Sequence, residues 1–417
     1  MPKIELPYGQ SALSVDVPKE HLVGVLEPRT MEIAPLDALF DSAWEAPIGM
    51  GNPSSLFRPG DSIVIVVTDH TRPTPTAKLL PRIWERIRST VSAGDVTLVV
   101  ATGTHRASTD EELAAILGDA RKLFRVEVHD CHGDCVEVAV SSHGNPICLN
   151  RRVAEADHVI SIGTIGMHYY AGYSGGRKNI YPGVASADSI ERNHAMMRRP
   201  ESAPCTYEGN PVSEEMVEAG RAIRYRFIVD VVLQSDGEVA KVVIGEPEEA
   251  HRVGRMFWDE YFQVPLETQA DLVIASAGGH PKDINLYQAH KGEYNAGRAT
   301  RDGGILYLAA ACPMGVGHPV FADWVERSET PDEVRRIFEA EGFKLGGHKA
   351  LYMAEDSERV ELALQSEFDD DLVRQYFMTP MHDPAEAIEL ARSRFGNDFR
   401  VLVMPHAGAT YPVLDCA

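Results

Sequence analysis

The sequence has no apolar run of about 18 residues, so it offers no transmembrane helix, and its first residues, MPKIELPYGQ, lack the apolar core of a signal peptide. Basic residues are scarce: 40 Lys and Arg stand against 62 Asp and Glu, and the formal net charge is −22. This charge argues against nucleic acid or an anionic membrane as a partner. Six cysteines in 417 residues do not suggest a disulfide framework. We therefore expect a cytoplasmic protein that binds any anionic substrate through a local cluster of Arg and Lys.

Length and composition indicate two globular domains. A chain of 417 residues is too long for one ordinary core, and its hydrophobic content of 44% and charged content of 24% are typical of a globular protein. A linker is predicted at Val264-Pro265. We expect an α/β domain at residues 1–265 and another at 266–417, both with mainly parallel sheets, and an active site in the cleft between them.

Polar loops follow three strands that the sequence predicts in the first domain. Residues 61–68, DSIVIVVT, are a continuous β-branched run, which is typical of a buried parallel strand, and they lead into Asp69 and Arg72. Two further predicted strands lead to His105 and His168. Ligands of open α/β sheets bind beyond the carboxyl ends of the strands, so these side chains are candidates for one site. Helix capping or core packing is the alternative for Asp69 and His105.

The stretch from His168 to His194, HYYAGYSGGRKNIYPGVASADSIERNH, is a mixture that neither a helix nor a strand requires. Gly175 and Gly176 allow a close backbone approach or a positive φ, and Lys178 follows them. The stretch fails the G-x-x-x-x-G-K-[ST] pattern of a phosphate loop. A lysine in such a loop is a candidate covalent anchor or carboxylate clamp, and the histidine on the following helix is a candidate metal ligand. The alternative is a surface loop with unrelated histidines.

A second cluster, HDCHGDC at residues 129–135, invites a zinc interpretation. Valines alternate on both sides of it, which predicts two strands joined by a turn at Gly133-Asp134. No second Cys/His pair stands at zinc-finger spacing. We therefore expect no metal at this cluster.

The second predicted domain offers a helix from about Ile284 to Ala296 that carries Tyr287, Gln288 and Lys291. Gln288 and Lys291 are three residues apart, so they share a helix face. Arg72 and Lys291 suit a substrate carboxylate. Two histidines on different loops suit the removal of a proton from one face of a substrate and its return on the other. The residues alone thus predict an acid–base enzyme for a small carboxylate, with stereochemical inversion as one option among several.

The motifs DHTRPTP, GTHR, HYYAGYSGGRK…H and YQAHKG, in this order and over nearly the whole chain, resemble the lactate racemase family. The resemblance implies an isomerase, a racemase or epimerase, that inverts C2 of a small 2-hydroxy acid, either lactate-like or a longer or dicarboxylic relative. It implies transient hydride transfer to a nickel-pincer nucleotide (nickel pyridinium-3,5-bisthiocarboxylate mononucleotide), with a 2-keto acid intermediate. Cofactor-synthesis proteins are then expected as partners that load the enzyme.

The same resemblance implies roles for individual residues. His105 and His168 are the paired catalytic acid–base residues, Lys178 tethers the cofactor covalently, and His194 is the nickel ligand. The implied cofactor-binding residues are Asp69, His70, Thr71, Arg72, Lys178 and His194. The implied substrate-binding residues are Arg72, Tyr287, Gln288 and Lys291.

Two other functions stay open. The chain is alternatively a non-catalytic carrier or chaperone of the nickel-pincer nucleotide, although the intact pair of His105 and His168 argues against a carrier, which needs no base. A zinc or nickel hydrolase would need three converging protein ligands and an open position. That function would leave Lys178 unexplained.

The segment GGHK places His348 and Lys349 near a predicted helix start. Binding of the cofactor phosphate, binding of a distal substrate group and simple helix capping are all consistent with that position. His280, Lys282 and Arg298 are similar cases. If two further cations face the pocket, a diacid such as malate or a polyhydroxy acid is favoured over lactate.

Overall fold

The structure is a computed structural model that describes residues 3–29 and 31–414. In this part of the chain the strands are β1 (Lys3–Tyr8), β2 (Ser11–Asp16), β3 (Leu22–Val25), β4 (Ile63–Thr68), β5 (Val96–Ala101), β6 (Arg125–Val128), β7 (Cys135–Val140), β8 (Pro146–Asn150), β9 (His158–Thr164), β10 (Met167–His168), β11 (Gly172–Tyr173), β12 (Tyr225–Leu233), β13 (Val239–Gly245), β14 (Gln263–Leu266), β15 (Ala270–Ser276), β16 (Thr300–Ala309), β17 (Glu361–Gln365), β18 (Thr379–Pro380), β19 (Val401–Met404) and β20 (Tyr411–Leu414).

The α-helices of the same residues are α1 (Leu36–Glu45), α2 (Thr76–Ile87), α3 (Asp110–Leu117), α4 (Ala120–Leu123), α5 (Arg151–Glu155), α6 (Ala187–Ala195), α7 (Pro211–Arg221), α8 (Pro247–Phe262), α9 (Leu286–Ala299), α10 (Pro319–Glu326), α11 (Pro331–Glu341), α12 (Gly347–Arg359), α13 (Asp370–Gln375) and α14 (Pro384–Phe395). None of these helices combines the length and the apolar character needed to cross a membrane.

The chain divides into two compact units. The central unit is Met31–Glu260, and the terminal unit combines residues 3–29 with residues 261–414. Each unit contains a six-stranded sheet, with the order β13-β12-β9-β4-β5-β6 in the central unit and β18-β17-β16-β15-β19-β3 in the terminal unit. The prediction of two α/β domains with mainly parallel sheets is thereby confirmed.

In the central sheet β13 runs antiparallel to β12, whereas the other neighbouring strands are parallel. Every residue of β4 is buried, as expected for a β-branched run that is covered on both faces. On one face, Ile65, Val67 and Ile160 share a hydrophobic core with Leu79 and Ile83 of α2. The carboxyl ends of β4, β5 and β9 lie along one edge of the sheet, where the polar loops predicted from the sequence begin.

The strands of the terminal sheet are all parallel. Its core combines Ile274, Tyr307 and Val403 of the sheet with Leu6 of β1 and Ala387 of α14. Helix α9 follows β15 in the chain, and Gly292 in the middle of the helix packs against Ala277, which directly follows that strand.

The predicted assignment of the N-terminal segment to the first domain is wrong for residues 3–29. Strand β3 pairs in parallel with β19, with Leu22 opposite Val401, and thereby forms an edge of the terminal sheet. The amide of Gly9 donates a 2.7 Å hydrogen bond to Oδ2 of the buried Asp283. These contacts join segments that are far apart in the chain, and no local sequence pattern specifies such a pairing.

The predicted hairpin around the HDCHGDC cluster is wrong in its pairing, although both strands exist. Strand β6 joins the central sheet beside β5, with Val126 opposite Leu98. Strand β7 pairs instead with β8 in a separate antiparallel sheet of two strands. The alternation of valines marks the strands correctly, but their partners are determined by packing with distant segments.

Candidate active site

A carboxylate–imidazole pair spans two adjacent strand ends of the central unit. Asp69 follows β4 and His105 lies in the loop after β5; these strands are paired as far as Thr68 and Ala101. Oδ2 of Asp69 lies 2.6 Å from Nδ1 of His105, and the side chains are 3% and 20% exposed, respectively. Thr71 donates to Oδ1 of Asp69 through its hydroxyl (2.6 Å) and its amide (3.1 Å). The structure thus brings Asp69 and His105 into contact, and their roles in a functional site stay a prediction.

The surroundings of Asp69 favour its ionised form. Burial acts to raise its pKa, but the hydrogen bond and charge of His105, the hydroxyl of Thr71 and the charge of Arg72 outweigh it, and the pKa lies below its ordinary value. An ionised carboxylate accepts, so we assign the Nδ1 proton of His105 to the bond with Asp69. Nε2 of His105 is then a proton acceptor in the neutral imidazole.

The side chains of Arg72 and His70, both in the loop after Asp69, contact different parts of the central unit. Arg72 is exposed, and its Nη1 donates to Oγ1 of Thr71 at 3.2 Å. Nδ1 of His70 lies 3.3 Å from Oγ of Ser108 and 3.6 Å from Oε2 of Glu112, at the start of α3. His70 therefore contacts residues at the start of α3, whereas Arg72 contacts Thr71, the residue that supports the Asp69–His105 pair.

Lys178 lies in a short 3₁₀ turn, Gly176–Asn179, whose first residue and the preceding Gly175 both have positive φ. Gly175 has φ of 77° and Gly176 has φ of 51°. A Cβ at Gly175 would lie 2.6 Å from Oδ2 of Asp230, so a larger residue would collide there. The amide of Gly176 donates to the same Asp230 oxygen at 2.6 Å. The predicted need for glycine in this turn is thus explained by both φ and close packing.

The amine of Lys178 is markedly less basic than an ordinary lysine. Burial, followed by the charges of Arg72 and Arg177, lowers its pKa to about 7, while Asp69 opposes this shift. The side chain keeps some solvent exposure, which moderates the effect. A large neutral fraction near pH ~7 makes this amine a competent nucleophile.

Backbone hydrogen bonds connect the His105 loop to the Lys178 segment. The amide of Gly103 donates to the carbonyl of Gly183 at 3.0 Å, and the amide of Gly183 donates to the carbonyl of Lys178 at 3.2 Å. His105 and Lys178, which are far apart in sequence, are therefore parts of one locally connected region of the central unit.

His168 and His194 flank the ring of Tyr170. Tyr170 packs edge-on against His168, with ring centroids 4.6 Å apart, and against His194, with centroids 5.2 Å apart. The amide of Ala171 donates to Nδ1 of His168 at 3.3 Å, which assigns the proton of the neutral ring to Nε2. His194 is 5% exposed and lies in the last turn of α6, whose N-cap residue Ser186 accepts a hydrogen bond from the amide of Ser189.

Arg177 is the buried support of the Lys178 turn, and the sequence does not reveal this role. Arg177 is 4% exposed; it donates to Oγ of Ser213 at 2.8 Å and to the carbonyl of Ala171 at 3.1 Å. Its Nη1 lies 3.2 Å from Nε2 of His251, and its guanidinium stacks on Tyr207 at 4.4 Å. Ser213, Tyr207 and His251 come from distant segments, so no spacing in the sequence signals this cluster.

The predicted substrate-binding residues of the second domain lie on α9 of the terminal unit. Gln288 and Lys291 are both exposed, as expected for residues that share one face of a helix, and Tyr287 is half-buried. The side chain of Asn285 accepts from the amide of Gln288 at 2.9 Å and caps the helix. Their role in substrate binding stays a prediction.

The residues left open by the sequence have structural contacts within the terminal unit. Arg298 donates to the carbonyl of Pro412 at 3.2 Å and lies over the ring of Tyr411. His348 and Lys349 are 5% and 8% exposed in the first turn of α12. That helix is preceded by Gly346 and has no side-chain cap bond, so neither residue acts as its cap.

The fold and the site define a two-unit α/β protein with a candidate acid–base site at the carboxyl edge of its central sheet. Two family models match the chain: "Lactate racemase N-terminal domain" over residues 8–204 and "Lactate racemase C-terminal domain" over residues 266–410. The chain belongs to the lactate racemase family, which confirms the resemblance seen in its motifs.

Individual relatives are similar over nearly their full length. Lactate racemase from Thermoanaerobacterium thermosaccharolyticum is 33% identical, covering 97% of this chain and 98% of the relative, and lactate racemase from Lactiplantibacillus plantarum is 30% identical with the same coverage. The solved structure of the lactate racemase apoprotein from T. thermosaccharolyticum has a TM-score of 0.90 at 31% identity, covering 99% of this chain and 100% of the other. A Thermotoga maritima protein with a TM-score of 0.61 is 18% identical, covers 85% and 94% of the two chains and shows the fold alone.

Proposed function

We propose that this protein is a 2-hydroxyacid racemase that inverts C2 of lactate or of a closely related acid. The observation that carries the proposal is the Asp69–His105 pair, which a binding protein does not need, in the same unit as His168 and the Lys178 turn. The names of the full-length relatives support lactate as the substrate. Longer or dicarboxylic 2-hydroxy acids are the alternative substrates of the same reaction.

The chain fits a nickel-pincer nucleotide as its cofactor. The Gly-Gly turn presents Lys178 with a pKa of about 7, which suits a nucleophilic amine that becomes a covalent tether. A buried imidazole at His194 is a ligand type that nickel accepts. Lys178 would hold the cofactor, and His194 would bind its metal. The Asp69–Arg72 loop would lie alongside the cofactor. Loading of the cofactor would depend on cofactor-synthesis proteins. When bound, this cofactor supplies an acceptor for the C2 hydrogen as hydride.

The two histidines handle the proton of the substrate hydroxyl. His105 donates from Nδ1 to the ionised Asp69, so its Nε2 can take the hydroxyl proton, and the carboxylate stabilises the imidazolium that results. His168, with Nδ1 accepting from Ala171, presents an Nε2 proton that holds the substrate oxygen by a hydrogen bond. To act as the base for the other enantiomer, His168 must carry its proton on Nδ1, which leaves Nε2 free to accept one. Nδ1 can then no longer accept the hydrogen bond from the amide of Ala171.

Arg72 is suited to hold the substrate carboxylate. Its guanidinium is exposed and is anchored through Thr71 to the residue that orients His105. An arginine binds a carboxylate with two parallel hydrogen bonds, which would fix the position of C2 relative to His105.

The test uses protein loaded with the cofactor and single enantiomers of lactate, malate, phenyllactate, 2-hydroxyglutarate and gluconate in deuterated water. Chiral chromatography and mass spectrometry report inversion and the hydrogen at C2. We expect inversion of lactate with the original C2 hydrogen retained. Solvent deuterium at C2 would instead indicate proton abstraction from carbon, and no inversion by loaded protein would favour the carrier function.

A further inference from the structure

A buried lysine of the terminal unit reaches the first turn of α9. Lys349, at the start of α12, is 8% exposed, and its Nζ donates a 2.6 Å hydrogen bond to the carbonyl oxygen of Tyr287. The same ammonium lies 4.1 Å from the centroid of the Tyr287 ring. Burial of an ammonium is costly unless its hydrogen-bonding groups are satisfied. Lys349 therefore forms a specific hydrogen bond between α12 and α9 and does more than pack in the core.

The carbonyl that Lys349 holds belongs to the turn that carries Gln288 and Lys291. In an α-helix the carbonyl of Tyr287 accepts the amide of Lys291, and a carbonyl oxygen has a second lone pair for another donor. The ammonium of Lys349 is that second donor. Movement of Lys349 would therefore act directly on the hydrogen bond that positions the backbone of Lys291.

Other contacts hold Tyr287 from a different direction. Its amide donates to the carbonyl of Val316 at 3.0 Å. Its ring packs against His318 and Phe321, with centroids 5.0 Å and 5.9 Å away. These contacts hold the amide and the side chain of Tyr287, while Lys349 holds the carbonyl of the same residue. The first turn of α9 is thus fixed between two segments of the terminal unit.

We propose that Lys349 is a positioning residue for the substrate, because it holds the first turn of α9 and so orients the exposed side chains of Gln288 and Lys291. The inference rests on the proposed function and on the predicted role of these two side chains in binding the 2-hydroxy acid. Lys349 acts through the backbone of Tyr287 and takes no part in tethering the cofactor. Its loss should affect substrate binding and leave the chemistry on the bound substrate in place.

The experiment compares Lys349→Met, which keeps the length of the side chain without a donor, with Lys349→Arg, which keeps a donor and a positive charge. Lys344→Met is the matched control, because Lys344 is exposed and its ammonium pairs with Glu341, away from Tyr287. Loaded enzymes are assayed for kcat and KM with lactate, and hydrogen–deuterium exchange is followed in the peptide that covers the start of α9. Covalent retention of the cofactor at Lys178 is measured by peptide mass.

We expect Lys349→Met to raise KM about tenfold, the cost of a lost hydrogen bond to a charged group, with kcat and cofactor retention largely kept. Amide exchange in the first turn of α9 should become faster, and Lys349→Arg should recover part of both effects. The control should match wild type. Wild-type KM and exchange in Lys349→Met would overturn the inference, as would a fall in kcat at constant KM.

Failure of the proposed function gives a different result. If loaded wild-type protein inverts no 2-hydroxy acid, the racemase proposal fails. The exchange measurement does not depend on turnover, so unchanged exchange in Lys349→Met would separately overturn the positioning of α9 by Lys349.

Discussion

Oδ2 of Asp69 lies 2.6 Å from Nδ1 of His105, and this contact joins the ends of two neighbouring parallel strands. Asp69 is buried and accepts from Thr71 at its other oxygen, so its position is fixed before any ligand binds. The imidazole is consequently held in one orientation with Nε2 available for proton transfer. The pair is the part of the site whose chemistry follows most directly from the structure.

Replacement of Asp69 by Asn should impair catalysis without releasing the cofactor. The amide keeps the size of the side chain but removes the negative charge that orients His105 and stabilises its protonated form. We expect kcat for lactate inversion to fall roughly 10²- to 10⁴-fold, the range typical of general acid–base groups. The measurement is chiral analysis of the loaded variant, together with the mass of the Lys178 peptide.

Asp61 provides a matched control for this variant. Asp61 and His158 form a similar pair, with Oδ2 and Nε2 2.9 Å apart, at the amino ends of β4 and β9. Asp61→Asn therefore removes the negative charge from an Asp–His pair in the same sheet but away from the candidate site, and it should retain activity. Equal loss in both variants would mean that Asp69 acts only on stability.

The reactivity of Lys178 should reveal its low pKa. Burial and the charges of Arg72 and Arg177 lower this pKa to about 7, so the neutral amine increases from pH ~6 to ~8. In protein without cofactor, labelling of Lys178 by an amine-specific reagent should show an inflection near pH ~7. Peptide mass spectrometry quantifies the labelled fraction of Lys178 at each pH.

The Arg72→Met variant tests whether the charge of Arg72 contributes to the low pKa of Lys178. Removal of this positive charge should raise the pKa of Lys178, and the labelling inflection should move to higher pH. An inflection that stays where it was would assign the pKa shift to burial and Arg177.

Lys178→Ala should abolish covalent retention of the cofactor, and normal retention would remove Lys178 from the anchor role.

Much of the central sheet could be predicted because the information is local. The β-branched run at residues 63–68 predicts β4, and ligand binding beyond strand ends predicts a site at Asp69, His105 and His168. The helix cap at Ser186 likewise follows from a local preference. The roles of Lys178 and His194 came from the family resemblance, because the spacing of their residues left several functions open.

The remaining features depend on distant segments and could not be predicted from local patterns. The pairing of β3 with β19 and the separation of β6 from β7 are decided by which surfaces pack together. Arg177 becomes a buried anchor only because Ser213 and His251 converge on it. Such contacts are properties of the folded chain, and a single sequence carries no separate signal for them.

Asp230 should give the protein a measurable pH dependence of stability. Burial raises its pKa to about 7, against the opposing hydrogen bonds from Gly176 and Gly163 and the charge of Arg177. Since the folded-state pKa lies above the unfolded value, the stabilisation is complete below the unfolded pKa and is lost as pH rises through the folded pKa. Between pH ~4 and ~7 the free energy of unfolding should fall by roughly 1.4 kcal/mol per pH unit relative to Asp230→Asn.

Chemical denaturation of wild type and Asp230→Asn across this pH range measures the slope. The Asn side chain keeps an oxygen for the amide of Gly176 but does not titrate in this range, so the difference between the curves isolates Asp230. Parallel curves would show that Asp230 is ionised throughout and that its carboxylate is better compensated than its burial implies.

Asp283 should hold the N-terminal hairpin on the terminal unit. Its side chain is buried, and Oδ2 accepts the amides of Gly9 at 2.7 Å and Ala311 at 3.1 Å. Asp283→Ala leaves both donors without their acceptor, and we expect a loss of about 2–5 kcal/mol in the free energy of unfolding. Faster hydrogen exchange should be concentrated in β1 and β2, since Gly9 lies in the turn between them. Asp283→Asn retains an acceptor and should lose less; equal exchange in all three proteins would mean that the packing of Leu6 and its neighbours alone holds the hairpin.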